Sequence, residues 1–402
     1  MLDATRIDGM LERAVEEGVV PGVVAVAGDR DGTLYEAAFG RLSVDGNGPA
    51  RPDTMIRLAS MTKAIASVAA LQLIERGDLE LEQSVAGILP AFGELDVLEG
   101  FDGDTPRLRP PARQATIRNL LTHTSGLSYW FGNPDVLRYH QLTGIPDPSS
   151  GKRAVFQIPL IADPGTRWEY GTSTDWLGQV IEAVSGQDLA GYCQQHIFGP
   201  LGMADATFRP TDEQRARMMA LHSRTPDGGL VQAPIELPAE PEFWSGGAGG
   251  VATAADYLRF MRALLRGGEL DGERVLRRET VELAFTDHLD GIELPGVMHS
   301  AIPELSNDVP SMPLAQGFGL GLHLVLEDVP GMRHTGTGDW AGLFNCYFWI
   351  DRTAGVAGAF LTQVLPFFDA RIVEQSIGFE AMVYAEVDAS AGRQRVGRSP
   401  RP

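Results

Sequence analysis

The sequence predicts a two-lobed α/β protein in which one antiparallel sheet is built from both ends of the chain. Segments with the apolar pattern of β-strands occur near both termini, whereas the middle of the chain has mostly helical periodicity. The length of 402 residues exceeds what one hydrophobic core usually serves. We expect a single domain over 1–390, with an α/β lobe from about 1–79 and 311–390 and a mostly helical lobe from about 80–310. A disordered tail is expected over 391–402.

The two ends of the chain supply the predicted sheet. An amphipathic helix in residues 1–18 precedes two strands in 19–40, which a turn at 29–32 connects. Near the other end we expect three further strands with turns between them and then a closing helix, in residues 317–328, 333–352, 354–363 and 367–387. The helical middle would then be an insertion between two parts of one sheet.

The composition excludes several kinds of partner. A net charge of −20 disfavours nucleic acid and anionic membranes. The two cysteines, Cys193 and Cys346, have neither the spacing of a disulfide framework nor that of a metal site, and we expect no metal and no cofactor. The N-terminus lacks the apolar core of a secretory signal, and no run is long enough to span a membrane. We therefore expect a cytoplasmic protein that acts on a small molecule, as a monomer or a homo-oligomer.

The candidate catalytic group begins with Ser60 and Lys63. Only two of the 33 basic residues are lysine, Lys63 and Lys152, and the others are arginine. An arginine keeps its proton in a protein, whereas a buried lysine can lose one and act as a general base. Residues 61–76 have helical apolar periodicity that ends at Gly77. Ser60 would therefore lie at a helix N-terminus, with Lys63 one turn further on the same side.

Spacing alone does not select this pair, because Ser149 and Lys152 have the same Ser-x-x-Lys spacing. The second pair lies among glycines and prolines, in a segment typical of a loop tip, where a lysine stays hydrated and protonated. Compositional drift towards arginine would also leave two lysines by chance. The helical context makes Ser60 the candidate nucleophile.

A serine nucleophile needs a neighbour that takes its proton. None of the 18 serines has glycine at both −2 and +2, so the sequence lacks the Gly-x-Ser-x-Gly elbow of the α/β-hydrolases. A Ser-Lys pair needs a third group, and the candidate is Tyr170, 110 residues after Ser60. Taken alone, a single tyrosine is more typical of a core position with a bonded hydroxyl.

Together with other motifs, these residues resemble the serine β-lactamase and penicillin-binding-protein superfamily, in particular the class C β-lactamases and the family VIII carboxylesterases. The resemblance covers nearly the whole chain. Its pieces, in chain order, are SMTK at 60–63, LLTHTSGL at 120–127, PGTRWEY at 164–170, PLGM at 200–203, GGAGG at 246–250 and a late strand motif. It implies the β-lactamase/transpeptidase-like fold, with Ser60 acylated, Lys63 as base and Tyr170 passing a proton to the leaving group. Lys63 and Tyr170 would titrate as a pair.

The chain departs from the family pattern in three places. Class C enzymes have Tyr-x-Asn, whereas Tyr170 is followed by Gly-Thr and lacks that amide. The Lys-Thr-Gly strand motif has no lysine here. Its counterpart is either HTG at 334–336 or WAG at 340–342, and we prefer the second, which lies eleven residues before Asp351. Without a fixed positive charge, neutral esters gain over substrates with a carboxylate. The Ser-Asp-Asn motif and the deacylating glutamate of class A enzymes are not recognisable.

An oxyanion hole must stabilise the tetrahedral intermediate. The resemblance implies the backbone N–H of Ser60 and one N–H of the late strand, from Leu343 or Thr337 according to the register. Residues 128–160 are rich in aromatic side chains and either wall a pocket or form an irregular surface excursion. The candidate substrate-binding residues are therefore Trp340, Gly342, Leu343, His334, Gly336 and Trp130.

His123 is expected to be structural, with its ring bonded to the turn around it. The alternative is a general base for Ser60 or Ser125.

The predicted function is that of a serine carboxylesterase that cleaves small to medium esters through an acyl-enzyme on Ser60. The alternatives within the same fold are a β-lactamase, a D-alanyl carboxypeptidase, and acyl transfer to an alcohol instead of water. A non-catalytic ligand-binding sensor is the alternative from another class. The intact set of Ser60, Lys63 and Tyr170 argues against a sensor.

Overall fold

The structure is a computed structural model that describes residues 4–46, 48–233, 235, 238 and 240–396, with side chains up to residue 389. The α-helices of the described part are α1 (Thr5–Glu16), α2 (Thr62–Arg76), α3 (Val85–Ile88), α4 (Ile117–Leu121), α5 (Pro134–Thr143), α6 (Ser173–Ser185), α7 (Leu189–Cys193), α8 (Asp212–Ala216), α9 (Ala254–Leu265), α10 (Arg278–Ala284) and α11 (Ala370–Val396). Short 3-10 turns lie at Ala59–Met61, Pro90–Glu94, Pro148–Ser150 and Arg153–Gln157, and a π turn lies at Gln194–Phe198.

The strands of the same residues are β1 (Gly22–Asp29), β2 (Thr33–Gly40), β3 (Ile56–Arg57), β4 (Val97–Asp102), β5 (Thr105–Arg109), β6 (His222–Arg224), β7 (Leu230–Gln232), β8 (Val251–Ala252), β9 (Glu269–Leu270), β10 (Glu273–Arg274), β11 (Val297–Met298), β12 (Val309–Pro310), β13 (Gln316–Phe318), β14 (His323–Val325), β15 (Gly338–Gly342), β16 (Cys346–Asp351), β17 (Val356–Leu361) and β18 (Val364–Leu365).

A seven-stranded antiparallel sheet joins the two ends of the chain, in the order β13-β14-β15-β16-β17-β1-β2. The two ends meet where β1 pairs with β17, with Val24 opposite Leu361 and Ala27 opposite Gly358. This pairing confirms the prediction of one antiparallel sheet built from both ends. Residues 317–328 and 333–352 each form two strands instead of one, because turns at 319–322 and 343–345 interrupt them.

The two faces of the sheet bury alternate residues of β1. Val23, Ala25 and Ala27 pack in the apolar cluster that contains side chains of α1 and α11. Val24 and Val26 pack in the larger core that contains side chains of α2, α6 and α9. This alternation follows from the two-residue period of a strand, and it places helices on both faces of the sheet.

The helix α2 is buried on all sides. The side chains from Thr62 to Leu73 are all buried, and the helix packs against α6 and α7. It ends where predicted, at Gly77, whose φ of +79° closes it in the left-handed conformation. A helix that is enclosed by packed side chains cannot shift without opening cavities, so its N-terminus is a rigid support for functional groups.

The closing helix is longer than the sequence predicts. The helix α11 extends to Val396, so residues 391–396 are helical where we expected a disordered tail. The continuation is consistent with the absence of proline from that stretch and with its alanine, arginine and glutamine content. Residues 397–402 lie outside the described residues. No helix in the described part of the chain is both long and apolar enough to cross a membrane.

Candidate active site

Ser60 lies in the 3-10 turn that leads into α2. The residue before it, Ala59, has a φ of +45°, in the left-handed region that residues with a Cβ seldom adopt. Such a conformation costs on the order of 1–3 kcal/mol. The surroundings hold it in place, since the Leu58 N–H donates to the Gly250 carbonyl at 2.9 Å. Backbone strain of this kind concentrates at functional sites, and no local sequence pattern predicts it at Ala59.

The structure brings Ser60, Lys63 and Tyr170 together. The Lys63 Nζ lies 3.0 Å from the Ser60 Oγ, and the Tyr170 hydroxyl donates to the same oxygen at 2.6 Å. The helical spacing predicted the first contact, and the family resemblance predicted the second. The serine hydroxyl therefore has two neighbours within hydrogen-bond reach that can exchange a proton with it.

Lys63 is only 2% exposed, and its amine has two further partners. The Nζ donates to the Gly247 carbonyl at 2.8 Å and to the Tyr129 hydroxyl at 3.1 Å. With Ser60 these make three oxygens for the three donors of an ammonium group. In the neutral amine one N–H still points to the Gly247 carbonyl, which can only accept, and the lone pair is available to Ser60. The site therefore accommodates both protonation states of Lys63.

Sequence reasoning missed Tyr129 and Asp175. Tyr129 is buried, and burial, followed by the negative charge of Asp175, holds the pKa of its hydroxyl well above the ordinary value. The hydroxyl therefore keeps its proton and can donate as well as accept. The only sequence signal for Tyr129 is its place in the aromatic stretch 128–160, directly after LLTHTSGL. The glycine run at 246–250 supplies a backbone carbonyl, which no residue type could reveal.

The ring of His123 lies in an aromatic cluster beside the site. Its centroid is 5.2 Å from that of Tyr170 and 6.4 Å from that of Trp340. Burial, followed by the positive charge of Lys63, holds the pKa of His123 well below its usual range, so the ring is neutral. Its Nδ1 has no hydrogen-bond partner among the described residues, so this nitrogen does not bond the turn as we expected. The ring packs among aromatic side chains, and the φ of +55° at His123 lies in the left-handed region.

The late strand motif that reaches the site is WAG in β15. The ring of Trp340 packs at 5.2 Å from that of Tyr170. A methyl group on Gly342 would lie 2.4 Å from the carbonyl oxygen of Leu58, two residues before Ser60. Glycine is therefore required for the strand to lie against the nucleophile turn. Leu343 follows at the end of this strand, where its N–H is the candidate second oxyanion donor.

His334 and Gly336 do not belong to the site, so the alternative register is wrong. The Nδ1 of His334 lies 2.8 Å from a carboxylate oxygen of Asp351. Asp351 is at the opposite end of β16 from the residue that pairs with Gly342, about 17 Å away along an extended strand. The N–H of Thr337 donates to the His334 carbonyl at 3.0 Å and is not free to bind an oxyanion.

Trp130 is partly exposed and lies beside Tyr129. Its ring is 5.9 Å from that of Tyr129 and 5.2 Å from that of Phe131, and the Phe131 ring stacks on Tyr129 at 5.0 Å. These rings lead from a partner of Lys63 towards the surface. Trp130 remains a predicted wall of the substrate pocket.

The other candidate groups lie in different surroundings. Ser125 is buried, and its Oγ shares a hydrogen bond of 2.8 Å with Ser173. Ser149 and Lys152 lie on an exposed turn, as predicted. Within the described residues, no group of three or more His, Cys, Asp or Glu side chains could hold a metal ion.

Comparison with known proteins places these motifs in a wider context. A model of the Beta-lactamase family matches residues 7–378. The chain is 34% identical over 394 residues to a monacolin J acid methylbutanoyltransferase of Aspergillus terreus, covering 93% of this chain and 94% of that protein. It is 33% identical over 405 residues to a lovastatin esterase of Penicillium rubens, covering 96% and 100% of the two chains. The solved structure of a mutant simvastatin synthase from Aspergillus terreus is 32% identical, with a TM-score of 0.84 over 96% of this chain and 98% of that one.

The neutral ring of His123 makes a testable contribution to stability. The unfolded chain takes up a proton on this histidine below about pH 6.5, whereas the folded protein leaves the ring neutral, so the contribution is present above that pH and lost as the pH falls. We expect the free energy of unfolding, measured in urea at pH 7.5 and pH 5.5, to fall by about 1 kcal/mol more in the wild type than in His123→Asn. Asparagine is chosen because it tolerates a positive φ.

His334 provides a control of opposite sign. The hydrogen bond that the ring donates to Asp351 raises the pKa of His334, so its contribution is present at low pH and is lost as the pH rises. The variant His334→Gln should therefore lose more stability on acidification than the wild type does. Equal losses in the wild type and His123→Asn would contradict the assignment of a neutral, buried ring.

Proposed function

This chain belongs to the Beta-lactamase family, and we propose that it is a serine carboxylesterase that acts on small to medium neutral esters through an acyl-enzyme on Ser60. The observation that carries the proposal is the position of the Ser60 Oγ, 3.0 Å from the Lys63 Nζ and 2.6 Å from the Tyr170 hydroxyl. A hydroxyl between a buried amine and a phenol can lose its proton to one and receive help for the leaving group from the other.

Acylation would proceed through these three side chains. The neutral amine of Lys63 takes the proton of the Ser60 hydroxyl while the Oγ bonds to the carbonyl carbon of the ester. The bond from that carbon to the alcohol oxygen then breaks, and the Tyr170 hydroxyl gives its proton to the leaving oxygen. The ammonium of Lys63 returns a proton to Tyr170, which restores both groups. Water then attacks the acyl-enzyme by the same steps in reverse order, and the carboxylic acid leaves.

The tetrahedral oxyanion would be bound by the backbone N–H groups of Ser60 and Leu343. The close approach of Gly342 to the Leu58 carbonyl supports this pairing, because it holds the end of β15 beside the nucleophile turn. Fixed backbone donors of this kind need no reorganisation when the charge develops.

The residues around Ser60 favour an ester over a β-lactam. In the WAG register, Trp340 occupies the position of the lysine in the Lys-Thr-Gly motif of class C enzymes. This position therefore has no fixed positive charge that could bind a substrate carboxylate. Tyr170 is followed by Gly-Thr, without the asparagine of the Tyr-x-Asn motif. The motif at 340–342 is instead similar to that of the family VIII carboxylesterases, and we assign the chain to that type. The similarity to a protein named a lovastatin esterase supports the proposal of an esterase.

Hydrolysis of p-nitrophenyl butyrate and of a chromogenic cephalosporin tests the proposal. We expect clear ester turnover and slow cephalosporin turnover. Ser60→Ala should lower kcat/KM for the ester by at least about 10³-fold because the nucleophile is lost. Lys63→Arg should lower it by about 10²- to 10⁴-fold because guanidinium does not give up its proton.

The second Ser-x-x-Lys pair offers matched controls. Ser149→Ala and Lys152→Arg remove the same groups from an exposed turn and should keep the wild-type rates. Fast cephalosporin turnover with slow ester turnover would indicate a β-lactamase. Release of one equivalent of p-nitrophenol without turnover would indicate a sensor, and normal rates in Lys63→Arg would contradict its role as base.

Acyl transfer to an alcohol is the second candidate function. Residues beside Ser60 belong to apolar clusters, Ala59 and Leu343 to one, and Tyr170 and Trp340 to another. Apolar walls bind the alkyl part of an alcohol and disfavour water. The relative named a methylbutanoyltransferase favours the same reaction.

Competition between water and 1-butanol tests acyl transfer. With p-nitrophenyl butyrate as donor, we expect a share of butyl butyrate, measured by gas chromatography, larger than the molar ratio of butanol to water. The apolar walls would raise the local concentration of the alcohol. Ser60→Ala is the control and should form neither product. Butyl butyrate at or below the molar ratio would leave hydrolysis as the function.

A further inference from the structure

Asp175 is a buried carboxylate that the proposed mechanism does not use. It lies in the first turn of α6, five residues after Tyr170, and is only 1% exposed. Its Oδ1 accepts hydrogen bonds from the Ser245 hydroxyl at 2.5 Å and from the Gly247 N–H at 3.1 Å. The carbonyl of Gly247 accepts a hydrogen bond from Lys63. A single residue therefore links the carboxylate to the amine.

Packing around Gly247 fixes this link. A methyl group on Gly247 would lie 2.6 Å from the Asp175 Oδ2 and 2.9 Å from the Tyr129 hydroxyl. The carboxylate oxygen and the phenol therefore face the same point above this glycine, and Tyr129 itself contacts Lys63. A segment packed this tightly cannot move away from either group without leaving a cavity.

The charges around Lys63 are coupled inside the core. The ionisable side chains described around the amine are His123, Tyr129, Tyr170 and Asp175, and the carboxylate among them is Asp175. Burial raises the pKa of Asp175, while the positive charge of Lys63 and the two hydrogen bonds to its Oδ1 lower it. A buried carboxylate near a buried amine favours the form in which the amine carries the proton.

We propose that Asp175 is a positioning residue for the reaction of Ser60. It turns the Gly247 carbonyl towards Lys63, and its charge stabilises the ammonium that forms when Lys63 takes the serine proton. The proton moves from the Ser60 Oγ to the Lys63 Nζ, and none moves to Asp175. This inference rests on the proposed function, because it concerns how Lys63 acts as a base.

The pH dependence of ester hydrolysis tests the role of Asp175. In the wild type, kcat/KM for p-nitrophenyl butyrate should rise with pH, because the reaction needs a base that is free to take the proton of Ser60. Asp175→Asn keeps an acceptor at Oδ1 but removes the charge. We expect the rising limb of this pH profile to move to lower pH by about one unit, because the ammonium form of the amine is less favoured without the carboxylate charge. The value of kcat/KM reached at high pH should fall about tenfold, because the ammonium that forms on Lys63 during the reaction is no longer stabilised by the carboxylate charge.

Asp256→Asn is the matched control. Asp256 is also buried, and burial raises the pKa of its carboxyl group. It accepts a backbone hydrogen bond from the Asp205 N–H at 2.8 Å. It lies in α9, outside the group of ionisable side chains around Lys63. Its variant should keep the wild-type pH profile. A profile of Asp175→Asn that does not shift, or an equal shift in both variants, would overturn the inference.

Ser245→Ala is the variant that tests the role of Asp175 if circular dichroism shows that Asp175→Asn does not fold. Loss of the Ser245 hydroxyl removes one of the two donors that hold the Asp175 Oδ1 against Gly247, so the limb should shift, by a smaller amount than in Asp175→Asn. No shift in folded Ser245→Ala would then overturn the inference. Failure of the proposed function itself looks different, since the wild type would then show no ester turnover that depends on Ser60.

Discussion

The buried amine of Lys63 is the interaction on which the site depends. Removing an ammonium group from water costs several kcal/mol unless its donors are bonded, and a buried carboxylate nearby carries a similar cost. Here the oxygens of Ser60, Tyr129 and Gly247 surround the amine, and Asp175 lies one residue beyond. The geometry that satisfies the amine also places its nitrogen beside the serine hydroxyl.

The fold supplies these oxygens from distant parts of the chain. Ser60 precedes the enclosed helix α2, Tyr129 follows α4, Tyr170 precedes α6 and Gly247 precedes β8. Each lies in a loop or turn whose ends are held by packed helices or strands, the usual way in which proteins combine rigid supports with functional loops. The sheet contributes from the other side, because β15 lies against the nucleophile turn at Gly342.

Local patterns in the sequence were sufficient for part of this arrangement. The spacing of Ser60 and Lys63 on a helix predicts their contact without knowledge of the fold, and strand alternation at both ends predicts the sheet. Tyr170 needed the family resemblance, since nothing local distinguishes it from a core tyrosine. The contact of Tyr129 with Lys63 joins residues 66 apart, and the bond to Gly247 involves a backbone oxygen 184 residues away, so periodicity reveals neither. Both strand registers end in glycine, and the position of β15 against Leu58, which the fold creates, distinguishes them.

The central claim is that Ser60, activated by the neutral amine of Lys63, is the nucleophile. The most direct measurement is the site of covalent labelling by a fluorophosphonate probe, determined by peptide mapping with mass spectrometry. The account predicts one adduct, on Ser60, that forms much more slowly in Lys63→Arg while Lys152→Arg labels at the wild-type rate. An adduct on another side chain, or an unchanged rate in Lys63→Arg, would contradict it.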